Sequence, residues 1–271
     1  MLNRRNDGFP RIMGVLNITP DSFHEESRLN STESAVSRAV QMVEQGADWI
    51  DIGGESTRPG ATPVDVEEEA ARVVPVVRAV REALPETCIS IDTRRSSVAS
   101  QALDAGADLV NDVSALSDPE MADLVANRGC PICVMHMQGT PGDMQDNPSY
   151  QDVVDDVRDS LGNAFSTLTR LGADPSLVVA DPGIGFGKTL AHNLTLLASG
   201  RDVVPDDRMP LMWGVSRKSM FSHLLGREST NDRLSGSLGV AARAKDKGVD
   251  IIRVHDVAEH ADLFAAMGAL R

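Results

Sequence analysis

The sequence is short of lysine, cysteine and long apolar runs, and each shortage narrows what the chain can do. Only four of its 26 basic residues are lysine, the rest being arginine, and 40 acidic residues bring the net charge to −14. Nucleic-acid binding rests on neutralising phosphates with basic side chains, so this balance argues against such a partner. An acidic, lysine-poor surface suits a high-salt cytoplasm, although genome base composition alone also favours arginine over lysine. The three cysteines are Cys88, Cys130 and Cys133. Cys130-Pro-Ile-Cys133 has metal or redox spacing, but no second cysteine pair follows it. All three are expected to stay reduced. No apolar run nears the roughly 18 residues of a membrane span. Residues 1–11 lack the apolar segment of a signal peptide, so a soluble cytoplasmic protein is expected.

What is present is a repeated plan. In Leu177-Val-Val-Ala-Asp181-Pro-Gly-Ile-Gly-Phe-Gly-Lys188, an unbroken apolar run meets a carboxylate and then a cluster of chain breakers. Such a run reads as a strand buried on both faces, delivering Asp181 to its C-terminal end. Apolar strands of this kind alternate with helix-patterned stretches about eight times. Gly46-Ala-Asp48, Gly106-Ala-Asp108 and Gly172-Ala-Asp174 close three of those helices, and Gly248-Val-Asp250 is an imperfect fourth copy. The alternation shows no composition break, which predicts one domain over residues 1–271. Repeated βα units imply parallel strands, and eight of them predict an α/β fold, a single (β/α)8 TIM barrel. An open doubly wound sheet is the competing architecture.

Closing the barrel brings the polar strand ends to one mouth. Asp92, Asn111 and Asp181 end strands three, four and six, and such acceptors in an apolar mouth suit a heterocycle with adjacent N–H donors. The alternative for each is a cap or a loop hydrogen bond. Arg253 and His255 are two apart on the last strand and share a face. Closure sets Asn17 of strand one beside them. Lys218 follows strand seven near a helix start. Anions bind in such barrels after strands seven and eight, which makes this a candidate anion site. Gly183-Ile-Gly-Phe-Gly187-Lys188-Thr189 nearly spells a nucleotide P-loop but has Pro182 where that loop needs glycine. Its glycines are expected to permit close approach to a flat ligand.

The segments MGVLNITPDSF, DIGGESTRPGA, SIDT, VNDVS, MHMQGTP, DPGIGFGK, SRKSM, RLSGSLG and IIRVHD make the chain resemble the dihydropteroate synthase family, from about Met13 to the last helix. The resemblance implies a transferase of folate biosynthesis that joins a pterin diphosphate to p-aminobenzoate and releases diphosphate. By position it implies that Asp92, Asn111, Met135, Asp181, Phe186 and Lys218 hold pterin. Asn17, Arg253 and His255 would bind diphosphate, with Mg²⁺ at Asn17. Lys218, Arg253 and His255 would carry the catalytic charge. Phe23, Thr57, Arg58, Pro59 and Ser219 would frame p-aminobenzoate. It also implies a homodimer. One departure stands out: the family usually reads Ser-Asp-Gly-Gly after Pro-Asp-Ser-Phe, whereas this chain has His24-Glu-Glu-Ser27. Both glycines are lost, and with them backbone freedom in that loop. Two rival readings follow: a pterin-binding paralogue without synthase activity, and a pterin methyltransferase serving a corrinoid protein.

Overall fold

Strands buried on both faces alternate with amphipathic helices, and parallel strands can be joined only by crossovers, so the chain winds into a barrel. The computed structural model describes residues 1–18, 27–56, 64–140 and 142–270. Its strands are β1 Arg11–Asn17, β2 Trp49–Gly53, β3 Cys88–Asp92, β4 Leu109–Asp112, β5 Ile132–Met135, β6 Val178–Asp181, β7 Met212–Gly214 and β8 Ile251–Val254. The helices are α1 Ser27–Glu44, α2 Val66–Ala83, α3 Ser96–Asp104, α4 Met121–Arg128, α5 Val153–Arg170, α6 Leu190–Ser199, α7 Met220–Leu225, α8 Leu234–Ala241 and α9 Val257–Ala269. Pairing is parallel in the order β6-β5-β4-β3-β2-β1-β8-β7. A single parallel bridge, Ala180 to Leu211, joins β6 to β7 and closes the ring. This is the TIM barrel that the alternation predicts, and not an open doubly wound sheet.

The barrel interior is layered by the two-residue period of its strands. At the bottom, Met13, Trp49, Cys88, Leu109, Cys133, Val179, Met212 and Ile251 form one buried cluster, to which Leu2 is added. Two residues further up the same strands, the character changes to Val15, Asp51, Ser90, Asn111, Met135, Asp181, Gly214 and Arg253. The core between sheet and helices is a second, larger cluster. Cys130-Pro-Ile-Cys133 therefore contributes Cys133 to the barrel floor, and all three cysteines are free.

The helix-stop repeats have a second use. Their glycines adopt positive φ (102° at Gly46, 113° at Gly106), which allows the chain to leave the helix. The aspartate that follows then accepts a backbone N–H at the start of a neighbouring strand. Asp48 takes Ile12 N–H at 2.8 Å, Asp108 takes Ile89 N–H at 2.8 Å and Asp250 takes Leu211 N–H at 2.9 Å. Arginines reinforce them: Arg5 and Arg11 on Asp48, Arg81 on Asp108, Arg201 on Asp250. Asp174 differs, capping a short 3-10 turn through Ser176 N–H. The barrel's lower rim is thus stitched, which leaves the upper rim free to vary.

Candidate active site

The upper mouth collects the polar residues named from sequence. Asp92 and Asn111 are register partners across β3 and β4, and Met135 and Asp181 are partners across β5 and β6. Gly214 pairs with Arg253 across β7 and β8. Asp92, Asn111, Met135 and Asp181 are buried. Phe186 lies beneath the Lys218 ammonium, whose Nζ is 3.8 Å from the ring centroid in a cation–π contact. Asn17 ends β1, exposed and in register with Gly53. Ser219 is exposed at the start of α7. Phe23, Thr57, Arg58 and Pro59, together with His24–Glu26 of the altered loop, lie outside the described residues.

Arg253 does not stand apart from the pterin candidates. Its Nε donates to Asp51 Oδ2 at 2.6 Å and its Nη2 to Asp92 Oδ2 at 2.6 Å. Asp51 was not a candidate from sequence. The signal was nonetheless there: a carboxylate in mid-strand, at the same parity as the inward residues Trp49 and Gly53. Burial works against the Arg253 charge, but the two carboxylates more than offset it and hold the guanidinium protonated. Burial pushes Asp92 upward, opposed by Arg253 and reinforced by Asp51, because two carboxylates share one cation.

Asp181 is positioned by its own loop. Its Oδ1 accepts Gly183 N–H at 2.7 Å. Burial raises its pKa, against that bond and the nearby Lys218. Lys218 in turn is drawn down to about 7 by burial, opposed by Asp181. His255 is set by Ser216, whose Oγ lies 3.2 Å from His255 N and 3.1 Å from Nδ1. The hydroxyl accepts the backbone N–H and holds the ring through Nδ1.

The glycine-rich loop after β6 makes its close approaches to the chain itself. A Cβ on Gly183 would lie 1.8 Å from the His136 carbonyl oxygen, and one on Gly187 2.4 Å from the Gln138 carbonyl oxygen. Lys188 sits in this packing, 3% exposed. Its Nζ lies 2.9 Å from His136 Nδ1 and donates to the Phe186 carbonyl at 2.9 Å and the His136 carbonyl at 3.3 Å. Burial, with Lys188 as the second cause, drops His136 to about 3, so the ring stays neutral and can accept. Lys188 therefore ties the β5 and β6 loops together, a role the near P-loop spelling did not reveal.

Burial also draws Lys188 from 10.5 down to about 7. Below about pH 7 the folded and unfolded chains both carry its proton. Between about 7 and 10.5 the unfolded chain binds more protons, so stability rises with pH. Parent protein should therefore gain on a Lys188→Met variant between pH 7.5 and 9.5, by at most ~1.4 kcal/mol per pH unit. Urea unfolding of both proteins at the two pH values checks this; a difference independent of pH would show that Lys188 keeps its proton when buried.

A second cluster brackets the stretch 57–63. Arg72 donates to the Gly54 carbonyl at 2.8 Å, Glu55 accepts Val64 N–H at 2.9 Å, and Arg95 donates to the Val64 carbonyl at 2.5 Å. Arg95 also pairs with Glu55 and Glu69. The described residues on either side of that stretch are thus held by hydrogen bonds.

Comparison with known proteins gives matches along nearly the whole chain. A family model described as pterin binding enzyme matches residues 13–255. A dihydropteroate synthase of Escherichia coli is 44% identical over 92% of this chain and 88% of its own length. A Haloferax volcanii protein named as a probable bifunctional folylpolyglutamate synthase/dihydropteroate synthase is 46% identical over 94% of this chain, which spans only 30% of that longer protein. Among solved structures, a Xanthomonas albilineans dihydropteroate synthase with 4-aminobenzoic acid superposes with a TM-score of 0.88 at 40% identity, covering 97% of this chain and 93% of its own.

Proposed function

The chain belongs to the pterin-binding enzyme family, and we propose that within it the protein is a dihydropteroate synthase, a transferase that condenses 6-hydroxymethyl-7,8-dihydropterin diphosphate with p-aminobenzoate. The observation that carries this reading is the mouth: hydrogen-bond acceptors from β3, β4 and β6 face a Lys218–Phe186 pair, with Arg253 and His255 alongside. Pterin is a flat heterocycle with adjacent N–H groups, and it fits the first set. The diphosphate fits the second. Methyl transfer to a corrinoid would use the first set and leave the second without a role. The named relatives are synthases.

In the reaction, the bond between the pterin methylene carbon and the diphosphate oxygen breaks and a bond from that carbon to the aniline nitrogen forms. Diphosphate leaves with the bonding pair, and the new amine loses one proton to solvent. Positive charge on the methylene carbon is delocalised into the electron-rich ring, so no protein nucleophile is required. Asp92, Asn111 and Asp181 hold the ring, with Met135 and Phe186 packing its faces and Lys218 beside it. Arg253, His255 and Asn17 meet the charge growing on the leaving group. Phe23, Thr57, Arg58, Pro59 and Ser219 frame p-aminobenzoate, and the anchors at Gly54, Glu55 and Val64 set the ends of part of that frame.

Mg²⁺ fits this scheme through one hard oxygen ligand. Asn17 is exposed at the rim and its side chain bonds to no described residue, so its carbonyl oxygen is available. Mg²⁺ commonly takes one or two protein oxygens and completes its shell with substrate phosphates and water. When bound it would supply charge neutralisation of the diphosphate. Chelation should therefore abolish turnover, restored by added Mg²⁺, while calorimetry finds unchanged affinity for phosphate-free pterin; persistent turnover in chelator removes the metal from the scheme.

We further propose a cytoplasmic homodimer. The supporting observations are that no helix among the described residues is long and apolar enough to cross a membrane, and that Leu224 and Leu225 of α7 are exposed. The functional reading is tested by pyrophosphate release. A synthase releases it only when both substrates are present; a non-catalytic pterin binder or a methyltransferase gives none.

A further inference from the structure

We infer that Asp51 is a positioning residue of the pterin site, which acts by holding the Asn111 amide with its carbonyl oxygen turned toward the ligand. The inference rests on the pterin reading of the mouth and assigns a role to a residue that does not itself face the ring. Asp51 lies in mid-β2, fully buried, one layer above the apolar barrel floor. Its Oδ2 accepts Arg253 Nε at 2.6 Å and Asn111 Nδ2 at 3.3 Å.

That shared oxygen settles the amide. Oxygen and nitrogen of an asparagine side chain are told apart by their partners. Because Oδ2 already accepts the Arg253 N–H, it can face only another donor, so the Asn111 amino group must point at it. The Asn111 carbonyl oxygen is thereby turned away, and it accepts from no described residue. Asp92, the register partner of Asn111, presents a carboxylate beside it. Two acceptors side by side suit two adjacent ring N–H donors. With the amide reversed, the site would offer an N–H where the ring also offers one.

A purely structural role for Asp51 accounts poorly for its surroundings. Burying a carboxylate is costly unless every lone pair finds a donor. Asp51 Oδ1 is buried with no hydrogen-bond partner among the described residues, and so is Ser90 Oγ, its register partner on β3. A group kept to stabilise the barrel would be better satisfied, and an apolar side chain would fill the layer at less cost. What Asp51 does satisfy is the orientation of two mouth residues, Asn111 and Arg253.

The test is a double-mutant cycle read by calorimetric titration with 6-hydroxymethylpterin, which carries no phosphate. Asp51→Asn offers an N–H as well as an oxygen and releases the Asn111 amide. Affinity should fall tenfold or more in that variant. In an Asn111→Ala background there is no amide left to orient, so the same change should cost less than about threefold, because residues acting through one another are not additive. An equal tenfold loss in both backgrounds, or an unchanged affinity in Asp51→Asn alone, overturns the inference. Should Asp51→Asn fail to fold, the parent protein decides: with pterin bound, at a resolution of about 1.2 Å or better where hydrogens emerge, Asn111 Nδ2 must face Asp51 and Oδ1 a ring N–H. The opposite orientation overturns it. A parent that binds no pterin refutes the reading of the mouth itself, whereas pterin binding with additive losses refutes only the role of Asp51.

Discussion

Replacing Arg253 with alanine is expected to lower kcat about 100-fold or more, the size seen when one preorganised donor to a developing charge is lost. The guanidinium is fixed before substrate arrives, through Nε on Asp51 and Nη2 on Asp92. Its Nη1 makes no hydrogen bond to any described residue and is the edge open to the proposed diphosphate. An interaction that strengthens as the diphosphate departs acts on turnover more than on ground-state affinity. Inhibition by added pyrophosphate should weaken sharply in Arg253→Ala, and also in His255→Ala. The strand-end pattern alone divides the mouth into separate pterin and diphosphate sets, which would leave phosphate-free pterin unaffected. The structure removes that division, because Arg253 also holds Asp92. Pterin affinity should therefore fall too. Removing one partner of a buried charge cluster commonly costs about 3–5 kcal/mol, so the melting temperature should drop as well. Parental pyrophosphate inhibition in both variants would place the anion elsewhere in the mouth, with Lys218 as the next candidate.

Asp181→Asn should weaken pterin binding tenfold or further with little change in melting temperature. The carboxylate offers Oδ2 to the mouth while Oδ1 is engaged by Gly183 N–H. Asparagine keeps one acceptor for that N–H but presents a donor, uncharged, to the ring. Loss of charged hydrogen bonds costs about 1.5–3 kcal/mol. Stability should hold, because burial already disfavours the Asp181 charge in the free protein and the amide removes that cost. Calorimetric titration with phosphate-free pterin and thermal melting of the same samples separate the two effects. Undiminished affinity would take Asp181 out of the site.

The architecture was legible because its signals are local. Period-two burial, glycine stops and the βα alternation each concern a few adjacent residues, and α4 spans the Met121–Arg128 range its pattern predicts. Boundaries are less legible where several residues can cap: helical apolar spacing predicts a start at Ser31, in a run of Ser, Asn and Thr that offers competing starts, whereas α1 begins at Ser27. The sequence also predicts helical segments running on to Asp246, whereas α8 ends at Ala241 with turns beyond it. Strand ends named Asp92, Asn111, Asp181 and Arg253 correctly as neighbours, because parity and barrel closure fix where they emerge. What parity cannot give is reach. The Arg253 side chain crosses to β2 and β3, and Lys188 turns inward to His136 rather than outward to a ligand. Asp51 was hidden for the same reason: it sits in mid-strand, and its importance lies in which side chains bend toward it.

The most direct test of the account is to identify and count the products. Protein incubated with 6-hydroxymethyl-7,8-dihydropterin diphosphate, p-aminobenzoate and Mg²⁺ should form 7,8-dihydropteroate, identified by mass spectrometry, in equal amount with pyrophosphate. Omitting p-aminobenzoate should stop both. Pyrophosphate released without dihydropteroate, or pterin bound with neither product formed, would contradict the assignment as a synthase.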